Sequence, residues 1–456
     1  MKTDVIVAEI GSTTTVLTAF HNIHTDNPVI LGQGMAETTV IQGDVTIGLK
    51  NALKDLKSYL GTEELDYGEF FATSSAAGGL KMSVHGLVYD MTVKAAKEAA
   101  LGAGANIVNI TAGRLGRFEL EKVKSGNVNI IMIAGGVDYG ERETAVENAR
   151  GIASLRLNIP VIFAGNIAAR DEVREIFREY EQEEFLYITE NVYPKIDVLN
   201  VASAREVIQE VFEKHITKAP GMEKIREIVN EAIMPTPGAV MEATMLLSET
   251  LGNVMTVDIG GATTDVHSVA EDNPEIARIL ISPEPRAKRT VEGDLGLYLN
   301  KNNVAHTIGR GNLMRKLRID EAELGALIDT LPPLPAPRHM ALVQELASYS
   351  LNAAVSRHAG KIASVFTAHG KTKTATGKDL TDIAYVIGTG GALTRHPDRV
   401  NIIRAMLDRV DPDSLKPSSA AKILIDSDYI MAATGVLSRK YKEAALKLLK
   451  NSLTEE

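Results

Sequence analysis

One pattern occurs twice in this chain, an acid followed by Ile-Gly and a run of small hydroxyl residues, and this repeat restricts the fold more than any other feature. Residues 6–20 read IVAEIGSTTTVLTAF and residues 255–269 read MTVDIGGATTDVHSV. Glu9 matches Asp258, Gly11 matches Gly260, and Thr14 and Thr15 match Thr263 and Thr264, all at one offset of 249 positions (260 − 11). Apolar alternation on both sides of each turn predicts a β-hairpin in each half. Gly11, Gly260 and Gly261 allow positive φ and a close approach of backbone to ligand. Ser and Thr hydroxyls beside free backbone N–H groups suit an anion such as phosphate. An acid at the end of the first strand would repel that phosphate unless a divalent cation stood between them, so the combination suggests a magnesium-bound nucleotide. Ordinary tight turns also use Gly and Thr, but two copies, each opening a fresh α/β segment, argue against that reading.

The rest of the composition narrows the function classes. With 456 residues there is room for about three domains. Cysteine is absent, which excludes disulfides, thiolate metal sites and a cysteine nucleophile. A formal charge of −10 argues against nucleic-acid binding, which needs a basic surface. No apolar run reaches the roughly 18 residues of a membrane span, and the N-terminus enters a strand-like segment without a signal-peptide pattern. A cytoplasmic protein is therefore expected. The histidines show no metal-binding spacing such as His-Glu-x-x-His.

Paired phosphate hairpins resemble those of the acetate- and sugar-kinase, heat-shock chaperone and actin superfamily, and further elements follow in that superfamily's order. TPGAVMEATMLLSE (236–249) resembles the first connecting helix, IAYVIGTGGALTRHP (383–397) the adenosine motif, and DYIMAATGVL (428–437) the second connecting helix, with Ala432, Ala433 and Gly435 suited to close helix packing. The resemblance implies an α/β fold, a two-lobed actin-like ATPase with ribonuclease H-like lobes. It also implies site residues. Gly11, Ser12, Thr13 and Thr14 and the matching Gly260, Gly261, Ala262, Thr263 and Thr264 would meet the phosphates. Gly388, Thr389, Gly390 and Gly391 would form the adenosine floor. Asp258 would order hydrated Mg²⁺ and act as the catalytic residue of any Mg-dependent hydrolysis of ATP, with Glu9 serving the same ion through water. Glu231 and Glu242 flank the place where relatives carry an acid for the attacking water, and a structural role suits both.

A narrower resemblance covers nearly the whole chain. ATSSAAGGLKMSVHGLVYDMTVKAAKEAALGAGANI (72–107), KRTVEGDLGLYL (288–299), IAGGVDYGE (133–141), PVIFAGN (160–166) and RHAGKI (357–362) are similar to the glutamate mutase accessory family, the MutL type unrelated to mismatch repair. This implies an ATP-binding, chaperone-like accessory or reactivating factor whose partners are the subunits of an adenosylcobalamin-dependent mutase or aminomutase. A small-molecule kinase of the same fold and a nucleotide-free mutase scaffold are the alternatives. The chain departs from the family at the first hairpin, where Glu9 stands for the usual Asp and Val16 for the usual Lys. No basic side chain lies between residues 3 and 20. A Lys about 4 Å from a phosphate contributes roughly 4 kcal/mol at an effective dielectric of 20, before solvation costs. Its loss calls for Mg²⁺, backbone N–H groups or a Lys or Arg from elsewhere. Hydrolysis and simple binding, and monomer and homo-oligomer, are equally compatible with these residues.

Between 105 and 216 the pattern changes to short apolar runs alternating with polar helices. ANIVNITA, VNIIMIAGG, IPVIFAGN, EFLYITEN and KIDVLNVA read as strands, and 141–157, 168–181 and 203–215 as helices, giving a doubly wound unit with a parallel sheet. The expected domains are a first lobe at 1–104, this flavodoxin-like insert at 105–216, a connecting segment at 217–253, a second lobe at 254–427, and terminal helices at 428–456. Asp138 and Asn166, at strand ends of the insert, are candidate ligand residues, although loop capping explains them as well. The insert resembles cobalamin domains in shape but lacks their Asp-x-His-x-x-Gly, since DVHSVA (265–270) has no final Gly and lies in the hairpin. His267 is therefore read as a strand residue. LPPLPAPRH (331–339) reads as a stiff linker before a helix at 340–360.

Overall fold

The computed structural model describes every residue except 40–42, 76–79, 216–223, 226–227, 368–369, 410 and 456. The glycine pair of the 72–107 motif and the expected boundary at 216/217 therefore lie outside the described residues. The chain divides into two compact units. One holds residues 1–77, 220–281 and 286–456, and the other holds 78–219 with 282–285.

The first unit begins with β1 (Lys2–Ile10), β2 (Thr14–His21), β3 (Val29–Glu37) and β4 (Asp66–Ser74). The second unit supplies β5 (Leu80–Gly86), β6 (Ala105–Ala112), β7 (Ile130–Ile133), β8 (Val161–Phe163) and β9 (Leu186–Ile188). The chain then returns to the first unit through β10 (Ile233–Pro235), β11 (Val254–Ile259), β12 (Thr264–Val269) and β13 (Ala287–Glu292). A two-stranded ribbon follows, β14 (Lys361–Thr367) and β15 (Gly370–Thr376), and then β16 (Tyr385–Thr389), β17 (Lys422–Asp426) and β18 (Leu453–Glu455).

The two large sheets of the first unit share one topology. Their orders are β3-β2-β1-β4-β10 and β13-β12-β11-β16-β17-β18. In each, the hairpin strands are antiparallel, while the next two strands are parallel to the first. This is the ribonuclease H-like arrangement, present twice, and it makes the unit a two-lobed, actin-like α/β fold. The repeat extends to register, since Glu9 faces Val16 and Asp258 faces Asp265 at the same offset as in the sequence.

A helix at Thr236–Leu251 follows β10, and its counterpart at Met431–Leu437 follows β17. Both join the C-terminal helix (Lys442–Ser452) in one apolar cluster. That cluster contains Val5 and Val7 from the first sheet and Val254, Val269 and Leu424 from the second, so the helices fill the space between the lobes. Contact is closest at Gly435, where an added Cβ would lie 1.8 Å from the carbonyl oxygen of Ala239. No helix among the described residues is long and apolar enough to cross a membrane.

The second unit is a parallel sheet of order β6-β5-β7-β8-β9, the doubly wound flavodoxin-like order. Two details correct the sequence reading. The unit starts near residue 78 rather than at 105, because β5 and the helix Lys94–Gly102 belong to it. KIDVLNVA forms no strand. Lys195 and Val198 make one isolated bridge around a turn in which Asp197 has φ 59°, which breaks extended backbone.

Replacing Gly435 with Ala forces its methyl against backbone that cannot yield, so a loss of about 1–3 kcal/mol is expected. Denaturant midpoints of the two proteins measure it, and an unchanged midpoint would show that the helices can separate freely.

Candidate functional site

The two hairpin tips face each other inside the first unit. A Cβ on Gly261 would lie 3.1 Å from Thr13 Oγ1. Each turn closes in the same way, with Gly11 N–H donating to Thr14 O at 2.9 Å and Gly260 N–H donating to Thr263 O at 3.0 Å. None of Gly11, Gly260 and Gly261 adopts the positive φ expected from the sequence. Gly11 is required instead by closeness, because a Cβ there would lie 2.7 Å from Thr14 O.

What separates these loops from ordinary turns is which of their polar groups are occupied. In the second hairpin the carbonyls are tied down. Gly260 O accepts from Leu297 N–H, Gly261 O from Tyr298 and Leu299 N–H, and Ala262 O from the Asn300 side-chain amide. The motif at 288–299 thus buttresses the hairpin from behind. The first hairpin has a lighter support, with Thr38 N–H donating to Thr13 O and Ser12 Oγ donating to Ser75 O. By contrast, the N–H groups of Ser12, Thr13, Gly261, Ala262 and Thr263 have no acceptor among the described residues. Successive N–H groups left free in this way form an anion-binding concavity.

A cavity of about 390 Å³ opens onto both tips, within the size range of small-molecule sites. Gly11, Ser12, Thr13, Thr14, Gly260, Gly261, Ala262 and Thr263 line it, as do Glu9, Asp258 and Gly391. Four expected residues do not. Thr264 is buried and donates to Leu295 O at 2.8 Å, facing the core. Gly388 packs against Ile403 and Ile425, and Thr389 donates to Asp426 Oδ2. Gly390 lies behind Asp258 with φ 83°, where a Cβ would come within 2.4 Å of Asp258 Oδ1. Glu231 pairs with Lys440, and neither it nor Glu242 reaches the cavity.

Several lining residues were not found from sequence. The proline run at 331–335 is more than a linker, since it forms one wall together with Met340 and Val343. Arg395 and Tyr429 form another part, and Tyr429 OH donates to Glu9 Oε1 at 2.7 Å. Asp265 is paired with the buried Arg289, whose Nε donates at 2.8 Å, and it also accepts from Thr263 Oγ1. His267, two residues after Asp265 on β12 and opposite Arg289 on β13, is fully buried, and burial and then the nearby Arg289 push it down to about 3. Asp426 accepts from the N–H groups of Ile430 and Met431 and from Thr389 and Ser452, which fixes the start of the second connecting helix.

The acids of the cavity are strained electrostatically. Burial raises Glu9 from 4.5 to about 7, with the charge of Asp426 adding to the rise, while the Tyr429 hydrogen bond and Arg395 oppose it. Burial holds Asp258 well above the usual carboxylate range, and Asp265, Glu9 and Asp426 act in the same direction. No donor to the Asp258 carboxylate is present among the described residues. Two half-buried carboxylates short of positive charge suit a divalent cation. No three acidic or histidine side chains among the described residues make a closed cage, so such an ion would keep water or ligand oxygens in its shell.

In the second unit, Asp138 and Asn166 serve the loops. Asp138 Oδ1 accepts from Ile167 N–H and Asn191, and Asn166 bonds Tyr139, Ala168, Gly140 and Glu141.

A protein family described as MutL protein matches residues 5–453. Protein MutL of Clostridium tetanomorphum is 36% identical over 464 aligned positions, covering 99% of each chain. Among solved structures, a nucleotide-free diol dehydratase-reactivating factor is similar at 13% identity, covering 96% of this chain and 99% of that one with a TM-score of 0.39. A xylulose kinase from Lactobacillus acidophilus is similar at 11% identity, covering 100% and 93% with a TM-score of 0.33.

The raised acid Glu9 gives a pH test. An acid raised in the folded state costs stability as pH climbs from its unfolded value to its folded one, here from 4.5 to about 7, and the cost reaches up to roughly 3 kcal/mol. Glu9→Gln keeps an acceptor for Tyr429 without the charge. Its thermal midpoint should equal wild type near pH 4 and exceed it near pH 8; parallel curves across that range would contradict the assignment.

Proposed function

The chain belongs to the MutL family, and on that premise we propose that it is an ATP-binding accessory factor for an adenosylcobalamin-dependent mutase, acting as a chaperone-like reactivating factor. The observation that carries the nucleotide part is the pair of opposed tips with free N–H groups at Ser12, Thr13, Gly261, Ala262 and Thr263. They suit a polyphosphate gripped from both lobes. Asp258 and Glu9 would hold hydrated Mg²⁺, which supplies the positive charge that lets carboxylates and phosphates share one cavity. The apolar wall at 331–335 with Met340 and Ala392 suits a flat base, and Gly391 allows it to approach the backbone. Thr236 and Pro237, at the start of the first connecting helix, line the same cavity, so a ligand there touches the helices between the lobes. Nucleotide state would alter a partner only so far as the two lobe arrangements bind ATP with different affinity.

For the partner contact we propose the second unit. Tyr89, Phe118, Tyr139, Ile167 and Ile196 are all exposed, and each lies in a segment leaving the carboxyl end of a strand. Clustered exposed apolar side chains mark interaction surfaces. A mutase cobalamin-binding subunit is the partner that family membership favours.

Calorimetry with Mg-ATP should show micromolar binding that weakens at least tenfold in Asp258→Ala. A wild-type chain that binds no nucleotide would leave a nucleotide-free mutase scaffold as the better account. In co-purification with mutase subunits, the double variant Tyr139→Ser, Ile196→Ser should lose the complex; retention at wild-type strength would place the contact elsewhere.

A further inference from the structure

A polyphosphate between the hairpins would meet the carboxylates of Glu9, Asp258 and Asp265, yet the first hairpin brings no positive charge. Val16, opposite Glu9 in the β1–β2 ladder, is buried and apolar. Arg289 is engaged by Asp265 and does not line the cavity. Two nitrogen-bearing side chains from the end of the helix after β16 do line it, Arg395 in its last position and His396 just beyond. His396 has both ring nitrogens occupied, Nε2 at 3.0 Å from Met340 O and Nδ1 accepting from Asp398 N–H at 3.0 Å.

Arg395 is different. Its Nη1 lies 3.2 Å from Met35 Sδ, and its guanidinium carbon stands 5.5 Å from the centre of the Tyr429 ring. Among the described residues it makes no ion pair with a carboxylate. A thioether and a ring face are weak partners for five N–H donors, and the side chain is exposed where it lines the cavity, so its remaining donors are open to solvent and to whatever fills the cavity. Its support is well defined. Tyr429 is held at φ 53°, its N–H donating to the backbone carbonyl of Asp426 and its hydroxyl to Glu9. Left-handed backbone at a tyrosine persists only where the surroundings fix it.

We infer that Arg395, resting on the Tyr429 ring, contacts the phosphate chain of the nucleotide and takes the part that a lysine on the first hairpin would otherwise play. This rests on the nucleotide reading above and adds a residue outside both hairpins. A guanidinium fork matches phosphate oxygens in a bidentate manner that a point charge does not. It also links the anion to the first lobe, because Tyr429 joins Arg395 to Glu9.

The test is calorimetry of wild type, Arg395→Gln and Arg395→Lys with ATP, adenosine and inorganic tripolyphosphate, each in the presence of Mg²⁺. Arg395→Gln should weaken ATP and tripolyphosphate by about 10- to 100-fold and leave adenosine within about twofold. Arg395→Lys, which keeps charge and length and covers poor folding of the first variant, should lose a smaller factor for the same two ligands. Equal losses for adenosine and ATP would put the side chain at the base and overturn the inference. So would wild-type affinity for ATP in both variants. A wild-type chain that binds none of the three ligands overturns the nucleotide reading itself, and this inference with it.

Discussion

The fold is organised around a backbone asymmetry at two opposed turns, where carbonyls are bonded into the lobes and N–H groups are left facing a cavity. Turns usually present both kinds of group to water, and a turn in that state attracts nothing in particular. Here the segment at 297–300 engages the carbonyls of the second turn, so its tip offers N–H donors to the cavity without any basic side chain. The carboxylates around the cavity share it with these donors.

The acids show how the balance is struck. Asp265 is neutralised within the second lobe by Arg289 and Thr263, a buried pair that would be costly to break from one side. Asp426 is satisfied by hydrogen bonds at the start of a helix, although burial still raises it. Glu9 and Asp258 are left with too little positive charge, and they occupy equivalent positions of the two hairpins. The remaining charge deficit therefore straddles the lobes, where a bound ion with its ligand could satisfy both sides together.

Much of this was legible in the sequence, for local reasons. The hairpins announce themselves through period-two alternation around Gly11 and Gly260, and the connecting helices through small residues that end at Gly435. Parallel strands of the second unit show as short apolar runs. What was not legible depends on distant residues meeting. Arg289 looks like a surface residue of an alternating strand until β13 is laid beside β12. Arg395 and the proline run lie far from the hairpins in sequence, and only the fold brings them to one cavity. The strand at 80–86 reads as a continuation of the first lobe, because its membership in another sheet is set by β6 and β7 pairing on either side. The strand expected at 195–202 failed for the opposite reason. Its apolar spacing is right, but Asp197 takes a left-handed turn.

The unequal support of the two turns has a mechanical meaning. The second is clamped by four hydrogen bonds from 297–300, whereas among the described residues the first is held by the Thr38 N–H at Thr13 O and by the Ser12 hydroxyl, which donates to the Ser75 carbonyl. A jaw built this way has an anvil and a hammer. On the proposed function the more heavily bonded half would fix where a ligand sits, and the other half, which carries Glu9 and through Tyr429 reaches the segment leading into the second connecting helix, would register whether the ligand is there. Duplication of one hairpin would thus have yielded two parts with different duties, a reference surface and a gauge.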